Sequence, residues 1–216
     1  LSLGAKSSVN EHADAIAARL AARLFDAGRG RQLATLERRR ATMPGVTPIQ
    51  AIGRHVAAAD AFVRIGDDDA AELDLDRAIA LGHGAPAASA RLNEALELRE
   101  TIARRRGDPG RIVAVLDRKA ELAINVEARA KIRLEQADVL ATAGRHGDLV
   151  DRLERAGAEL PHDLGIARRL AFEAKRLGRL HVWAQTEAHV AALVEERGDR
   201  VAGREQHAIA AEALAE

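Results

Sequence analysis

RLEQADVLATAGRHGDLVDRLERAGAELP, residues 133–161, is the stretch of this sequence that decides its fold. Apolar residues recur in it at steps of three and four, which is the spacing of one face of an α-helix. Gly144 divides the stretch, and glycine takes up the left-handed conformation that often ends a helix at little cost. Pro161 closes it, because proline cannot continue a helix. The stretch therefore predicts two helices joined by a tight turn.

Small and large side chains alternate around this turn. Ala137 lies seven residues before Gly144 and Leu140 lies four before it, and the same face continues after the turn with Leu149, Leu153 and Ala156. Small residues let two antiparallel helices approach closely, while larger residues fill the space towards the next pair. The acidic stretch GDDDAAELDLDRAIAL, residues 66–81, follows the same pattern, and its inward face is predicted to be Ala71, Leu75, Ala78 and Leu81.

The turn recurs along the whole chain. Glycines that end helical stretches lie 38, 41, 37 and 34 residues apart, at Gly28, Gly66, Gly107, Gly144 and Gly178. Helix starts with acidic or hydroxyl caps, or with a first-turn proline, follow at Thr47-Pro48, Asp67 to Asp69, Asp108-Pro109 and Asp163. The alternation of apolar and polar residues that is typical of β-strands is nearly absent. Intervals this regular predict a repeat built from helix pairs.

The pattern resembles the tetratricopeptide repeat (TPR) family, whose unit has a Leu-Gly-like pair, a turn glycine, small and large residues and a closing proline. Leu170 and Ala171 stand for the Leu-Gly pair in DLGIARRLAFEAKRLGR, residues 163–179. The tryptophan usual in the first helix is missing, since Trp183 lies in a second helix.

The resemblance implies an all-α, right-handed α-solenoid of antiparallel helix pairs, with about eleven helices. The chain is predicted to form a single domain, residues 1–216. Its approximate units are 14–51, 52–92, 93–129, 130–163 and 164–197, with a terminal helix over 198–216. Residues 82–96 carry the extra residues of the longest interval, which predicts a flexible joint or an extended helix there.

Composition excludes several classes of function. Lys+Arg and Asp+Glu both total 33, so the formal charge is zero and no strong field gathers nucleic acid or an anionic membrane. Aromatic residues make up 2% of the chain, too few to stack single-stranded bases. No apolar run approaches the roughly 18 residues of a membrane span. We therefore predict no nucleic-acid partner and no membrane insertion.

The residues of common catalytic and metal sites are absent or scattered. There is no cysteine and no tyrosine, and the nearest histidines, His181 and His189, are eight residues apart, farther than zinc pairs usually are. Asp67 to Asp69 lack the glycine and glutamate of a calcium loop. GRGR at 28–31 and GHG at 82–84 lack the lysine of a phosphate loop. We predict a non-enzymatic protein without metal or cofactor.

Two arginine runs, 38–40 and 104–106, lie close to Glu37, Glu97 and Glu100. At helical spacings such pairs are worth about 0.2 to 0.5 kcal/mol each. The runs are therefore predicted to be solvated helix faces and not phosphate contacts.

In TPR proteins the first helix of each unit lines a concave groove that holds a peptide from a partner. When the sequence is aligned with the TPR unit, the exposed positions of such a groove are Asp60, Arg64, Glu97, Thr101, Arg104, Lys131, Asp138, Arg168, Phe172, Lys175 and Arg176. Arg168, Phe172 and Lys175 are four and three residues apart, so they share one helix face. Two cations flanking a ring suit an acidic, aromatic segment. In the alternative, Phe172 packs against the neighbouring unit and the cations are merely solvated.

The resemblance implies a scaffold or adaptor that binds protein or peptide partners. Two alternatives stay open: a structural subunit of a permanent oligomer or larger multi-protein assembly, and a regulatory segment of a longer multidomain protein.

Overall fold

A computed structural model describes residues 3–82 and 88–215, with side chains described for 12–82 and 88–212. The regular elements of these ranges are all α-helices, in the order α1 (Leu3–Asp26), α2 (Gly30–Ala41), α3 (Pro48–Arg64), α4 (Asp68–Gly82), α5 (Ser89–Arg105), α6 (Pro109–Leu122), α7 (Val126–Thr142), α8 (His146–Glu159), α9 (Leu164–Arg176), α10 (Leu180–Glu196) and α11 (Arg200–Ala215). The predicted all-α fold of helix pairs is confirmed. Residues 83–87 of the predicted joint lie outside the described part of the chain.

The helices form two compact units, Leu1–Gly107 and Asp108–Glu216. In the first unit α2 packs against α1 and α3, α4 packs against α3 and α5, and α3 also contacts α5. In the second unit each helix from α6 to α10 packs against the one that follows it. Stacking in sequence order within each unit is what a helical repeat requires. The single domain, the right-handed sense and the boundaries of the repeat units stay predictions.

The predicted turn glycines all have a left-handed backbone. Gly144, between α7 and α8, has φ 71°, and Gly28, Gly66, Gly107 and Gly178 lie between 63° and 77°. A side chain in this conformation costs about 1 to 2 kcal/mol, because its Cβ approaches the following carbonyl oxygen. Two further left-handed glycines, Gly45 and Gly198, precede α3 and α11 and were not predicted.

The predicted helix starts are capped by side chains. Thr47 Oγ1 accepts from the amide of Gln50 at 3.3 Å, and the Gln50 side chain accepts from the amide of Thr47 at 2.9 Å, which makes a complete capping box. The carboxylates of Asp108 and Asp163 each accept from a backbone amide in the first turn of α6 and α9 and so cap these helices. Asn125 caps α7 and was not predicted. Local chemistry therefore determines where these helices begin.

The inward face of α4 differs from the prediction at one place. Ala71, Leu75 and Ala78 are fully buried, as predicted, but Leu81 is 42% exposed. The face continues at Gly82, where an added Cβ would lie 2.5 Å from the side chain of Leu92. Because Leu92 of α5 occupies this space, any side chain at position 82 would require Leu92 to shift.

A carboxylate also lies on that inward face. Asp74 is fully buried and accepts from Arg38 Nε at 3.0 and 2.8 Å, and its Oδ1 lies 3.1 Å from His55 Nδ1. These contacts join α4 to α2 and α3. A buried carboxylate is tolerated only when it is paired and hydrogen-bonded in this way.

The core of the second unit follows the predicted small and large positions. Ala137, Leu149, Leu153 and Ala156 are fully buried and Leu140 is 1% exposed. Ala137, Leu140, Leu149 and Leu153 belong to a cluster that also includes Val113 of α6 and Leu170 of α9. Burying one leucine contributes about 1.5 to 3 kcal/mol. The four helices α6 to α9 are thus joined by apolar contacts.

The prediction that the first arginine run is a solvated face is wrong for Arg40. Its side chain is buried between α1 and α2, where Nη2 lies 3.0 Å from Asp14 Oδ1 and Nη1 lies 2.7 Å from Glu37 Oε1. Arg54 of α3 contacts the same two carboxylates, at 2.7 and 3.4 Å. The result is a charge network that joins the first three helices.

The second run also makes contacts beyond its own helix. Arg104 forms the expected pair with Glu100 four residues away, at 2.6 Å. Arg105, however, lies 2.7 Å from Asp68, and Arg106 contacts Asp69 and Glu72, all at the start of α4. The acidic start of α4 therefore has two roles: it suits the helix N-terminus, and it binds the end of α5.

Candidate functional site

A cavity of about 470 Å³ lies between α3 and α5, within the first unit. We call it the α3–α5 cavity. Three predicted groove residues line it, Asp60 from α3 with Glu97 and Thr101 from α5, and the remaining lining residues are Gly53, Val56, Ala57, Arg91, Glu94 and Leu98. The structure thus brings together groove residues that are about forty positions apart in the sequence.

The charged side chains of the α3–α5 cavity are mostly paired with a neighbour on their own helix. Arg64 Nε donates to Asp60 Oδ2 at 2.7 Å, and Arg91 Nη1 donates to Glu94 at 2.7 and 3.0 Å. Glu97 has no ion pair among the described residues. The cavity therefore offers one carboxylate that no described arginine neutralises.

The apolar part of the α3–α5 cavity comes from Val56, Ala57 and Leu98. Arg91 lies beside Gly53, since a Cβ added to this glycine would be 3.6 Å from Arg91 Nε. The hydroxyl of Thr101 donates to the carbonyl of Glu97 at 2.9 Å, so it is occupied within α5. The cavity combines an apolar floor with a charged rim.

The other two predicted groove residues of the first unit lie outside this cavity. The guanidinium of Arg64 lies over the ring of Phe25, 4.9 Å from its centroid. Arg64 also lines a separate cavity of about 250 Å³ near the α1–α2 turn, with Phe25 and Ile65. Arg104 is held by Glu100. Of the five groove residues predicted in the first unit, Asp60, Glu97 and Thr101 line the α3–α5 cavity, and Arg64 and Arg104 do not.

In the second unit Arg168, Phe172 and Lys175 of α9, which we call the α9 stripe, are exposed. Phe172 is 66% exposed, which speaks against the alternative in which it packs into the structure. Arg168 is exposed on the same helix face. Lys175 Nζ lies 4.5 Å from the centroid of the Trp183 ring, within the range of a cation–π contact. Arg176 is paired with Glu173, where its Nε donates at 3.0 Å.

The predicted groove residues of α7 differ from one another. Lys131 is exposed. Asp138 is also largely exposed, but its Oδ1 accepts from Arg169 Nη2 of α9 at 2.6 Å. Asp138 therefore contributes to holding α7 beside α9, a tertiary role that its helix position alone did not indicate.

A third cavity, of about 270 Å³, lies among α8, α9 and α10 of the second unit and was not predicted. Its wall is largely apolar and includes Leu160, Leu170 and Val182. His189 Nε2, at its edge, lies 2.6 Å from the carbonyl oxygen of Pro161. This contact joins α10 to the segment between α8 and α9.

The lining residues missed from the sequence share one signal. Those of α3 are Gly53, Val56 and Ala57, and they continue the helix face of Asp60 at steps of three and four. Arg91, Glu94 and Leu98 likewise continue the face of Glu97 and Thr101 on α5. Extending the predicted face by two turns towards each helix start finds all of them.

Within the described ranges, no three histidine, aspartate or glutamate side chains are placed to hold a metal ion. None of the helices described combines the length and the apolar character that crossing a membrane requires.

No family model and no curated protein matches this sequence. Solved structures that are similar to it include the nearly identical TPR-like repeats of a putative kinesin light chain from Podosopora anserina, at 18% identity and a TM-score of 0.43, covering 91% of this chain and 92% of that one. A thermophilic TPR protein from Thermus thermophilus is similar at 21% identity and a TM-score of 0.34, covering 89% of this chain and 95% of that one. Both are TPR-type proteins, the class that the sequence resembles.

Proposed function

We propose that this chain is a non-enzymatic scaffold or adaptor that binds segments of protein partners on exposed faces of its helices. The observation that supports this most is the α3–α5 cavity, whose volume of about 470 Å³ lies within the usual range of ligand sites. Its apolar floor and charged rim suit a peptide side chain with an apolar stem and a polar end.

The position of the cavity in the stack supports the same function. Stacked helix pairs bury their apolar faces on one another and leave a long surface free for contacts. Asp60 and Glu97 lie on such a surface, on two helices that pack together. Rigid helices hold the two carboxylates at a constant separation, which lowers the entropic cost of binding.

The experiment that tests this function fills the cavity. Ala57 is exposed and lines it, so Ala57→Trp should block the site while changing stability by less than about 0.5 kcal/mol. Ala114→Trp on α6 is the matched control, since Ala114 is also an exposed helical alanine but lies outside the cavity. Proteins captured from a cell extract by the unchanged chain and by the control should be lost with Ala57→Trp. Identical sets from all three chains would remove the α3–α5 cavity as the binding site.

The α9 stripe is a second proposed contact surface, for an acidic, aromatic partner segment. Its support is the exposure of Phe172 between two cations. Reversing both charges with Arg168→Glu and Lys175→Glu should abolish capture of partners that bind there. Arg155→Glu with Arg204→Glu gives the same change of net charge at exposed positions elsewhere, and this control should keep them. If the two double variants behave alike, the stripe has no specific role.

One observation favours the alternative of a structural subunit. Helix α1 exposes three large apolar side chains, Ile16 at 56%, Leu20 at 46% and Phe25 at 51%. Exposed apolar groups of this kind are common at protein interfaces. Light scattering at several concentrations distinguishes the two functions, because a free adaptor stays monomeric. An oligomer that Ile16→Lys with Leu20→Lys disperses would support the structural subunit.

A further inference from the structure

The α3–α5 cavity has an excess of negative charge. Its lining contains the carboxylates of Asp60, Glu94 and Glu97 but only one cation, Arg91. The complete chain, in contrast, has equal numbers of acidic and basic residues. The negative charge is therefore a local property of this site, and it opposes the entry of an acidic segment.

The cations that accompany these carboxylates are easily exchanged. The side chain of Arg64 is 57% exposed and that of Arg91 is 51% exposed. An ion pair this open to solvent contributes little to stability. An incoming cation can therefore replace either arginine at little cost, and at Glu97 it displaces no described ion pair.

An arginine side chain already lies in the site. Arg91 extends beside Gly53, with its Nε 3.6 Å from the place of an added Cβ, while its guanidinium binds Glu94. At this distance a Cβ at position 53 would be in ordinary van der Waals contact with the Arg91 side chain. Arg91 thus provides an example of a long basic side chain that lies against α3 while its guanidinium binds a carboxylate of the cavity, Glu94.

From these contacts we infer that the α3–α5 cavity binds a lysine or arginine side chain of a basic partner segment. The apolar stem of that side chain lies on Val56, Ala57 and Leu98, and its cation binds Glu97. Long basic side chains commonly bury their stems and keep the charged end at a polar rim. This inference rests on the proposed scaffold function and names the chemistry of its partner.

The test uses the complete chain and two labelled peptides of equal length, one alternating alanine with arginine and one alternating alanine with glutamate. Fluorescence anisotropy should show binding of the arginine peptide and none of the glutamate peptide. Glu97→Gln, which keeps the shape of the side chain, should weaken binding about two- to fivefold, which is the effect expected for an ion pair at an exposed carboxylate. Glu205→Gln removes the same charge from an exposed site on α11 and should leave binding unchanged.

The outcomes separate this inference from the proposed function. No binding of the arginine peptide, or equal weakening by Glu97→Gln and Glu205→Gln, overturns the inference. If Ala57→Trp still removes captured partners while Glu97→Gln affects neither partner nor peptide, the scaffold function stands and the basic-segment inference fails. Because Glu97 is exposed, both glutamine variants should keep the melting temperature of the unchanged chain, and a thermal scan checks this.

Discussion

Arg38 of α2 and Asp74 of α4 form an ion pair at 2.7 Å, and the second unit contains its equivalent with the charges exchanged. There, Asp117 of α6 pairs with Arg152 of α8 at 2.6 Å. Arg38 and Asp117 each follow a turn glycine by ten residues, and Asp74 and Arg152 each follow the next turn glycine by eight. The same two positions of the repeat therefore form an ion pair in both units, with the acidic and basic residues exchanged.

The helix between the two bridged ones contributes a third side chain. His55 and Arg133 both lie eleven residues before a turn glycine, and each contacts the carboxylate of its own unit, at 3.1 and 2.7 Å. Each bridge thus joins three consecutive helices. Both units keep an ion pair at these positions, but the helix that carries the positive charge differs between them. This indicates that the ion pair holds the stacked helices together and does not attract a ligand.

We expect Asp74→Asn to lower the free energy of unfolding by about 3 kcal/mol, because it leaves Arg38 without its buried partner. Asp76→Asn is the matched control on the same helix. Asp76 pairs with Arg99 in solvent, so its loss should cost less than about 1 kcal/mol. Urea unfolding of the two variants measures both values.

The exchanged polarity of the second unit leads to a further expectation for this pair. Arg38→Asp combined with Asp74→Arg should recover part of the stability that either single change removes. A double variant less stable than both single variants would mean that the surroundings, and not the pair, determine the polarity.

Acid should weaken the equivalent bridge of the second unit. Burial raises the pKa of Asp117, but the hydrogen bond from Gln136, the charge and hydrogen bond of Arg152 and the hydrogen bond of Arg133 outweigh it, so the pKa lies below the ordinary value. Aspartate in an unfolded chain has a pKa of about 3.9. The stabilisation by Asp117 is therefore complete above that pH and is lost as the pH falls through the lower pKa of the folded chain.

Asp117→Asn should thus be less stable than the unchanged chain at neutral pH and should lose less stability between about pH 5 and pH 2. Unfolding curves at a series of pH values measure this difference. Glu205→Gln, at an exposed position, should follow the unchanged chain throughout. Parallel curves for Asp117→Asn and the unchanged chain would contradict the proposed role of the bridge.

Two glycines three residues apart should respond to alanine with opposite signs. Gly144 has φ 71°, so Gly144→Ala should destabilise by about 1 to 2 kcal/mol even though nothing lies within 4 Å of the added carbon. Gly147 lies in the first turn of α8, where an added Cβ makes an ordinary contact at 3.7 Å with Arg179. Gly147→Ala should stabilise by about 0.4 to 1 kcal/mol, because it reduces the freedom of the unfolded chain. Thermal unfolding of the two variants shows whether each substitution raises or lowers the stability.

Enlarging a small residue between α3 and α4 should be costly. Ala71 is fully buried, so Ala71→Leu should overpack the pair and destabilise by about 1 to 3 kcal/mol. Ala80→Leu is the control, since Ala80 is exposed on the same helix and leucine is a good helix former there. Equal melting temperatures for the two variants would show that Ala71 does not control the approach of the helices.

The groove was predictable only in part. Asp60, Glu97 and Thr101 line one cavity because a helix repeats its faces at steps of three and four, which register alone determines. Arg64 shares the register of Asp60 but lies over Phe25, because a long arginine side chain can reach a neighbouring helix. The position of the guanidinium depends on which residues of other helices lie beside it, and the sequence around Arg64 does not reveal those residues.

Local sequence signals are enough to predict the helical class, the turns and the helix starts, because left-handed glycines and capping side chains act within a few residues. They also predict that Ala71, Leu75 and Ala78 face inward. Three features could be found only in the folded chain: Asp74 is buried beside Arg38, Gly82 and not Leu81 meets α5, and particular arginines join one helix to another. Partners 36 residues apart meet according to how the helices cross, and packing sets that geometry.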